Sequence, residues 1–126
     1  MKWHCFGADT RGSSLIEFAL LVPIFVAVMV GLMGAGALMW AQFGLQHGAE
    51  MAARCASVNS TACGTTANIQ AYAVQQTYGI NPPASAFTVS TPSCGKQVVA
   101  SYSYQFLAAD FGLPAITLAA KACFPK

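Results

Sequence analysis

Residues 18–41 read FALLVPIFVAVMVGLMGAGALMWA, and this unbroken apolar run decides the fold. A bilayer core is crossed by roughly 20 apolar residues in a helix. A secretory h-region is shorter, at about 7–15 residues. No Asp, Glu, Lys or Arg occurs from Phe18 to Ala49. The run therefore predicts one transmembrane helix.

The composition limits the remaining function classes. The chain has 126 residues, of which 8% are charged and 56% are hydrophobic, so it has room for one span and one small domain. A net charge of +2, from six basic and four acidic residues, makes no basic patch for nucleic acid. The sequence shows no nucleophile–base pair, carboxylate pair or phosphate loop. We therefore expect no enzyme, no cofactor and no nucleic-acid partner.

The basic residues predict the orientation of the span. Lys2 and Arg11 precede the apolar run, and the first basic residue after it is Arg54. Lys and Arg are enriched on the cytoplasmic side of membrane helices. The short N-terminus is therefore expected in the cytoplasm and the C-terminal part across the membrane.

The cysteines predict two disulfides in the C-terminal part. Cys5 precedes the span, and four cysteines follow it. An even number beyond the membrane is typical of an oxidising compartment. Of the three possible pairings, we favour the one that ties the long helix to the next turn and the first β-turn to the last strand, namely Cys55–Cys63 and Cys94–Cys123. A zinc site is the alternative, but no CxxC pair or nearby His supports it, and no metal is predicted.

Helical patterning continues beyond the membrane. One helix is expected over residues 14–57. Small polar residues at 59–66 predict a turn whose threonines cap a second helix. That helix has apolar residues at helical spacing from Ile69 to Ala73, and Gly79 is its predicted stop.

The remainder alternates with a period of two residues. Residues 87–91, 97–106 and 116–124 are predicted strands of an antiparallel meander, with turns at 94–96 and within 110–114. Gln97 is expected on the outer face, whereas Tyr102, Tyr104 and Phe106 are assigned to the core. The fold class is therefore α+β, with a long N-terminal helix, a second short helix and a three-stranded antiparallel sheet.

A lone carboxylate stands at the start of the apolar run, where residues 11–18 read RGSSLIEF. Burying a charge in lipid is costly, so Glu17 requires a partner. A cut after Gly12 would place a new α-amino group on Ser13, four positions before Glu17. The two charges could then meet within one chain or between neighbouring helices. Glu17 is also expected in the first helical turn, where the helix dipole favours a negative charge.

This pattern resembles the processing site of type IV prepilin-like proteins. In detail, RGSSLIEFALLVPIFVAVMVGLMGAG followed by GAEMAARCASV is similar to the TadE/TadG-like pseudopilins of the Flp (tight adherence) pilus system. The likeness is close over residues 10–58 and holds only in outline beyond them. It implies a minor pilin cut by a prepilin peptidase after Gly12, with Ser13 as the mature N-terminus. Glu17 and Phe18 would then serve processing, assembly or both.

The resemblance also implies the domain division and the partners. Residues 1–12 would be a prepilin leader, 13–58 the transmembrane and assembly helix, and 59–126 an exterior domain held by disulfides. The expected partners are the prepilin peptidase, major and minor pilins, the assembly platform and membrane lipid. The expected location is a bacterial inner membrane with the C-terminal domain in the periplasm, and incorporation into an extracellular pilus is a further expectation.

Small residues recur every four positions along the helix. Such small-xxx-small spacing lets membrane helices approach closely. In a pilin-like protein this would be a packing surface between subunits, whereas the alternative is ordinary Gly and Ala abundance in membrane helices. The residues concerned are Ala27, Gly31 and Ala35, and Gly44 and Gly48 with Ala52.

Two other functions remain open from the sequence. One is a permanently anchored single-pass envelope protein with a small exterior binding domain. The other is a secreted domain released by signal peptidase, for which residues 34–37, GAGA, supply a small-residue cleavage site. The N-terminus of the mature protein distinguishes all three.

Overall fold

The structure is a computed structural model that describes residues 13–105, 112 and 114–125. The described residues form two α-helices, a short 3₁₀ helix and three strands. In chain order these are α1 (Ser13–Val58), α2 (Thr66–Gln75), the 3₁₀ helix (Ala84–Ala86), β1 (Phe87–Ser90), β2 (Lys96–Tyr104) and β3 (Ile116–Phe124). The α+β architecture predicted from the sequence is confirmed. By its internal contacts the chain divides into two units, Met1–Ala35 and Gly36–Lys126, which are described in turn.

The described part of the first unit is the N-terminal portion of α1. Its large apolar side chains from Leu15 to Met33 are exposed, except for the half-buried Val22, and Phe18 has 66% of its surface exposed. α1 is long and apolar enough to cross a membrane, and none of its most apolar window is buried within the protein. Such a surface is unstable in water and stable in lipid.

The second unit has its core between the C-terminal portion of α1, α2 and the sheet. The helix contributes small residues one turn apart, so that the other elements approach it closely. Phe87 is the largest fully buried side chain and lies against Gly48 of α1. The fully buried members of this core include Leu45, Ala49, Ala52 and Ala53 of α1, Ala73 of α2, and Phe87, Val98 and Ala100 of the sheet.

The sheet is an antiparallel meander in the order β1-β2-β3. Val98 pairs with Ala122, and Ala100 pairs with Ala120, so the predicted apolar faces of the two longer strands coincide. Several details differ from the sequence prediction. β1 ends at Ser90 rather than at residue 91, and β2 ends at Tyr104 rather than at residue 106. β2 begins at Lys96, Gln97 is buried rather than on the outer face, and Tyr102 and Tyr104 are only half-buried. Phe106 and most of the predicted turn at 110–114 lie outside the described residues.

α2 begins as predicted but ends earlier. Thr65 caps it, because its hydroxyl oxygen accepts a hydrogen bond from the Asn68 amide at 3.2 Å. Its predicted stop, Gly79, is wrong by four residues, since the helix ends at Gln75. The Thr77 hydroxyl donates to the carbonyl of Val74 at 2.7 Å, and the Thr77 amide donates to the same carbonyl. These bonds, which reach back three residues instead of four, end the helix before the chain reaches Gly79.

Two disulfides close the second unit. Cys55, near the end of α1, is joined to Cys63 in the following turn, with 5.8 Å between their Cα atoms. Cys94, in the β1–β2 turn, is joined to Cys123 of β3, with 6.4 Å between their Cα atoms. Cross-links in so small a domain restrict its unfolded state.

Candidate functional site

The candidate site is the N-terminal part of α1 around Glu17. As described, α1 begins at Ser13, so Glu17 lies in its second turn and no acidic residue lies in the first. The expectation that Glu17 sits in the first turn is therefore wrong. Residues four apart on a helix share one face, about 6 Å apart along the axis. The backbone nitrogen of Ser13 and the side chain of Glu17 are thus one turn apart. Gly12 lies outside the described residues.

The surroundings of Glu17 are apolar. Its neighbours Ile16 and Phe18 are each about two-thirds exposed, at 65% and 66%. Phe18 also lines an apolar depression on this unit with Leu21, Val22 and Phe25. Glu17 is the single charged side chain between Ser13 and Ala49. A carboxylate among exposed apolar side chains requires a positive partner once lipid or other helices cover them.

The small residues of α1 fall into two groups. In the first unit, Ala27, Gly31 and Ala35 are exposed, and a Cβ built on Gly31 meets nothing within 4 Å. This stripe is available to another helix. The role predicted for it between subunits stays a prediction.

Gly44 and Gly48 have neighbours within their own chain. A Cβ on Gly44 would lie 2.6 Å from the Thr77 carbonyl oxygen, and one on Gly48 would lie 2.8 Å from that of Ala73. These glycines let α1 pack against the end of α2 and the turn after it. Spacing in the sequence did not distinguish this packing within the chain from packing between chains.

Two glutamines of α1 hydrogen-bond to strand β3, a contact that was not predicted from the sequence. Gln42 Nε2 donates to the Ala119 carbonyl at 2.8 Å, and Gln46 Nε2 donates to the Lys121 carbonyl at 3.5 Å. Both carbonyls belong to the edge strand β3. The signal was present in the sequence, because two glutamines one turn apart immediately follow the apolar run.

The described residues offer little for metal chemistry. Within residues 13–105, 112 and 114–125, no three His, Cys, Asp or Glu side chains come together. The sulfurs of Cys55, Cys63, Cys94 and Cys123 are used in disulfide bonds. The described part of the site therefore consists of one carboxylate, that of Glu17, on a helix with exposed apolar side chains.

Comparison with known proteins gives one match, which covers this site. Residues 12–54 match the family model described as TadE-like protein. No curated protein and no solved structure matches the chain. The matched segment contains Gly12, Ser13, Glu17 and Phe18, and residues 55–126 lie outside it. The TadE-like family is a structural one related to Tad pili. The resemblance predicted from the sequence is confirmed for residues 12–54, which match the TadE-like family model.

Proposed function

We propose that this chain is a minor pilin or pseudopilin of a Flp-type, tight-adherence pilus. A prepilin peptidase removes residues 1–12, and Ser13 becomes the N-terminus of the mature subunit. The mature subunit is then extracted from the inner membrane into or beneath a filament made of major and minor pilins. It acts through packing and charge pairing rather than as an enzyme.

The isolated charge of Glu17 is the observation that carries this proposal. It stands one turn after Ser13 on a helix whose large apolar side chains are exposed. Cleavage after Gly12 creates an α-amino group that is positively charged at neutral pH. An amine and a carboxylate at the lipid border satisfy each other, in one chain or between adjacent subunits. The TadE-like match over residues 12–54 supports the same role.

The proposed topology follows from charges and cysteines. Lys2 and Arg11 keep the leader in the cytoplasm, where it meets the membrane-embedded peptidase and the assembly platform. Residues 59–126 fold in the periplasm, whose oxidising conditions suit the disulfides Cys55–Cys63 and Cys94–Cys123. Membrane lipid surrounds the apolar part of α1 until assembly.

The proposal is tested by replacing the charge and counting pili. Cells whose own copy is replaced by the Glu17→Gln variant are expected to make fewer surface pili, although the chain is still expressed. Glu50→Gln is the matched control, because Glu50 lies in the second unit and accepts a hydrogen bond from Gln46 at 2.8 Å. The control is expected to leave the number of pili unchanged. Equal pilus numbers with Glu17→Gln and with the native chain would contradict the proposal.

The alternative is a permanently anchored envelope protein. An exposed apolar helix also suits a simple membrane anchor, and this observation favours the alternative as much as the pilin. The two differ in the leader, since an anchored protein keeps residues 1–12. They also differ in the response to Glu17→Gln, since a protein that takes no part in a pilus leaves the number of pili unchanged whichever residue stands at position 17.

A further inference from the structure

One end of the second unit presents aromatic side chains. Trp40 of α1 and Tyr78 of the turn after α2 lie with their ring centroids 6.1 Å apart. They line an open depression together with Ile80, Tyr102 and Tyr104. Trp40 and Tyr78 are 61% and 57% exposed, so both rings are available to a partner. These five residues are called the aromatic face below.

The aromatic face lies at the level where the apolar run of the sequence ends. Trp40 is the residue before Ala41, the last of that run. Within the second unit, β3 runs in the same direction as α1, because Gln42 bonds to Ala119 and Gln46 to Lys121. The strand positions before Ala119 therefore lie towards Trp40.

The sheet contributes its tyrosines at this same level. Tyr102 pairs with Leu118 and Tyr104 pairs with Ile116, and both partners precede Ala119 in β3. Ile116 is itself 43% exposed. α1, the turn after α2 and the sheet thus all bring apolar or aromatic side chains to one end of the unit.

The charged side chains described in the second unit lie away from the aromatic face. Glu50 and Arg54 follow Trp40 by ten or more residues along α1. Lys121 is at the level of Gln46, and Lys96 pairs with Phe124 at the far end of β3. Among the described residues of this unit, the end that carries the aromatic face therefore has no charged side chain. A surface of this kind is unfavourable in water and favourable beside lipid.

The conformation of Tyr78 is unusual for its residue type. Its φ is +53°, in the left-handed region that bulky residues seldom adopt, and Gly79 follows with φ +84°. His47 holds this turn, since its Nδ1 lies 3.0 Å from the Gln76 carbonyl oxygen and its ring centroid is 4.7 Å from that of Tyr78. The structure thus keeps the Tyr78 ring on the surface beside Trp40, at a cost in backbone strain.

We propose that the aromatic face lies in the headgroup layer of the bilayer. This inference rests on the proposed membrane span. Trp and Tyr have an apolar ring and a polar N–H or O–H group, and they are enriched at that depth in membrane proteins. The folded unit then touches the membrane with its own surface and not only through α1. Its lipid partner is the headgroup and the upper part of the acyl chains.

Depth-dependent quenching of tryptophan fluorescence tests this inference. The full chain is reconstituted in phosphatidylcholine vesicles whose lipids carry bromine near the headgroup end of the acyl chains. Trp3→Phe leaves Trp40 as the single tryptophan, since the chain has two. In the Trp3→Phe, Trp40→Phe background, Tyr78→Trp moves the probe to the turn after α2. Retention of both disulfides, measured by mass, confirms that the variants fold.

Tyr72→Trp in the same background is the matched control. Tyr72 lies near Arg54 and Val58 of α1, about 20 Å further along the helix than Trp40. The fluorescence of the Tyr78→Trp variant is expected to fall by the same fraction as that of native Trp40. The Tyr72→Trp variant is expected to be unaffected by the bromines.

Three other results would overturn the inference. If Trp40 is quenched while Tyr78→Trp behaves like Tyr72→Trp, the aromatic face is not in the lipid, although the span stands. A blue-shifted but unquenched Tyr78→Trp probe would mean that a protein subunit covers this face, which also overturns the inference. If Trp40 itself is not quenched, the aromatic face is again not in the lipid, because Trp40 belongs to it. The proposed function is judged separately, by the N-terminus of the mature chain and by the pilus count of the Glu17→Gln variant.

Discussion

Gln42 and Ala119 join the helix to the sheet, because Gln42 Nε2 donates a hydrogen bond to the Ala119 carbonyl oxygen at 2.8 Å. Gln46 repeats the contact with Lys121 at 3.5 Å. The spacing works because four helical residues rise about 6 Å and two strand residues about 6.6 Å. The side chains of α1 thereby occupy carbonyls of the edge strand β3, which would otherwise be open to another strand.

Replacing Gln42 by Ala is expected to lower the free energy of unfolding of the second unit by about 0.5–1.5 kcal/mol, the usual net worth of one hydrogen bond. Denaturant unfolding of the detergent-solubilised chain, followed by tryptophan fluorescence, measures the change. Gln75→Ala is the control, since Gln75 is exposed at the end of α2. An equal loss of stability in both variants would show that the contact with Ala119 contributes nothing specific.

Gly44→Ala is expected to destabilise the second unit by about 1–3 kcal/mol, because the added methyl group meets the backbone of Thr77. Gly36→Ala is the control on the same helix, since a Cβ there meets nothing within 4 Å. The same unfolding measurement applies to both. If Gly44→Ala is as stable as the native chain, α1 and the turn after α2 do not pack as closely as described.

The sequence predicts elements better than it predicts contacts between them. The extent of α1 and the alternation of β2 and β3 were predictable, since each follows from local periodicity. The end of α2 was not, because the hydroxyl of Thr77 competes for a helical carbonyl before Gly79 is reached. The burial of Gln97 was not predicted either. Alternation along the strand assigns it to the outer face, but it is buried beside the β1–β2 turn, where it pairs with Ser90 and Cys123.

The features of the candidate site also divide into those that the sequence predicts and those that it does not. Glu17 and its spacing from Gly12 were visible in the sequence, because the chemistry of the site is local. The partners of Gly44, Gln42 and Tyr78 were not visible, because each contact joins residues far apart in the chain. Periodicity shows that a face exists, but it does not show what covers that face.

The two disulfides are expected to contribute unequally. Cys55–Cys63 spans eight positions and Cys94–Cys123 spans 29. From loop-closure entropy, these links stabilise by roughly 2.5 and 3.5 kcal/mol. Replacing each pair by alanines and measuring denaturant unfolding tests the order. A larger loss from removing Cys55–Cys63 would contradict the entropic account for this domain.

Gly31→Leu is expected to reduce pilus assembly, because it fills the exposed stripe of Ala27, Gly31 and Ala35 that we propose as a surface between subunits. Gly36→Leu is the matched control, since Gly36 is also open but lies on another side of α1. Pili counted on the cell surface give the result. Equal pilus numbers for the two variants would leave the stripe without a specific role.

The N-terminus of the protein isolated from its native envelope tests the central claim most directly. Peptide mass spectrometry is expected to find Ser13 as the first residue of the mature chain, with a free or modified α-amino group one turn from Glu17. A protein that begins at Met1 would contradict the account, because the amine that Glu17 requires would then never form beside it.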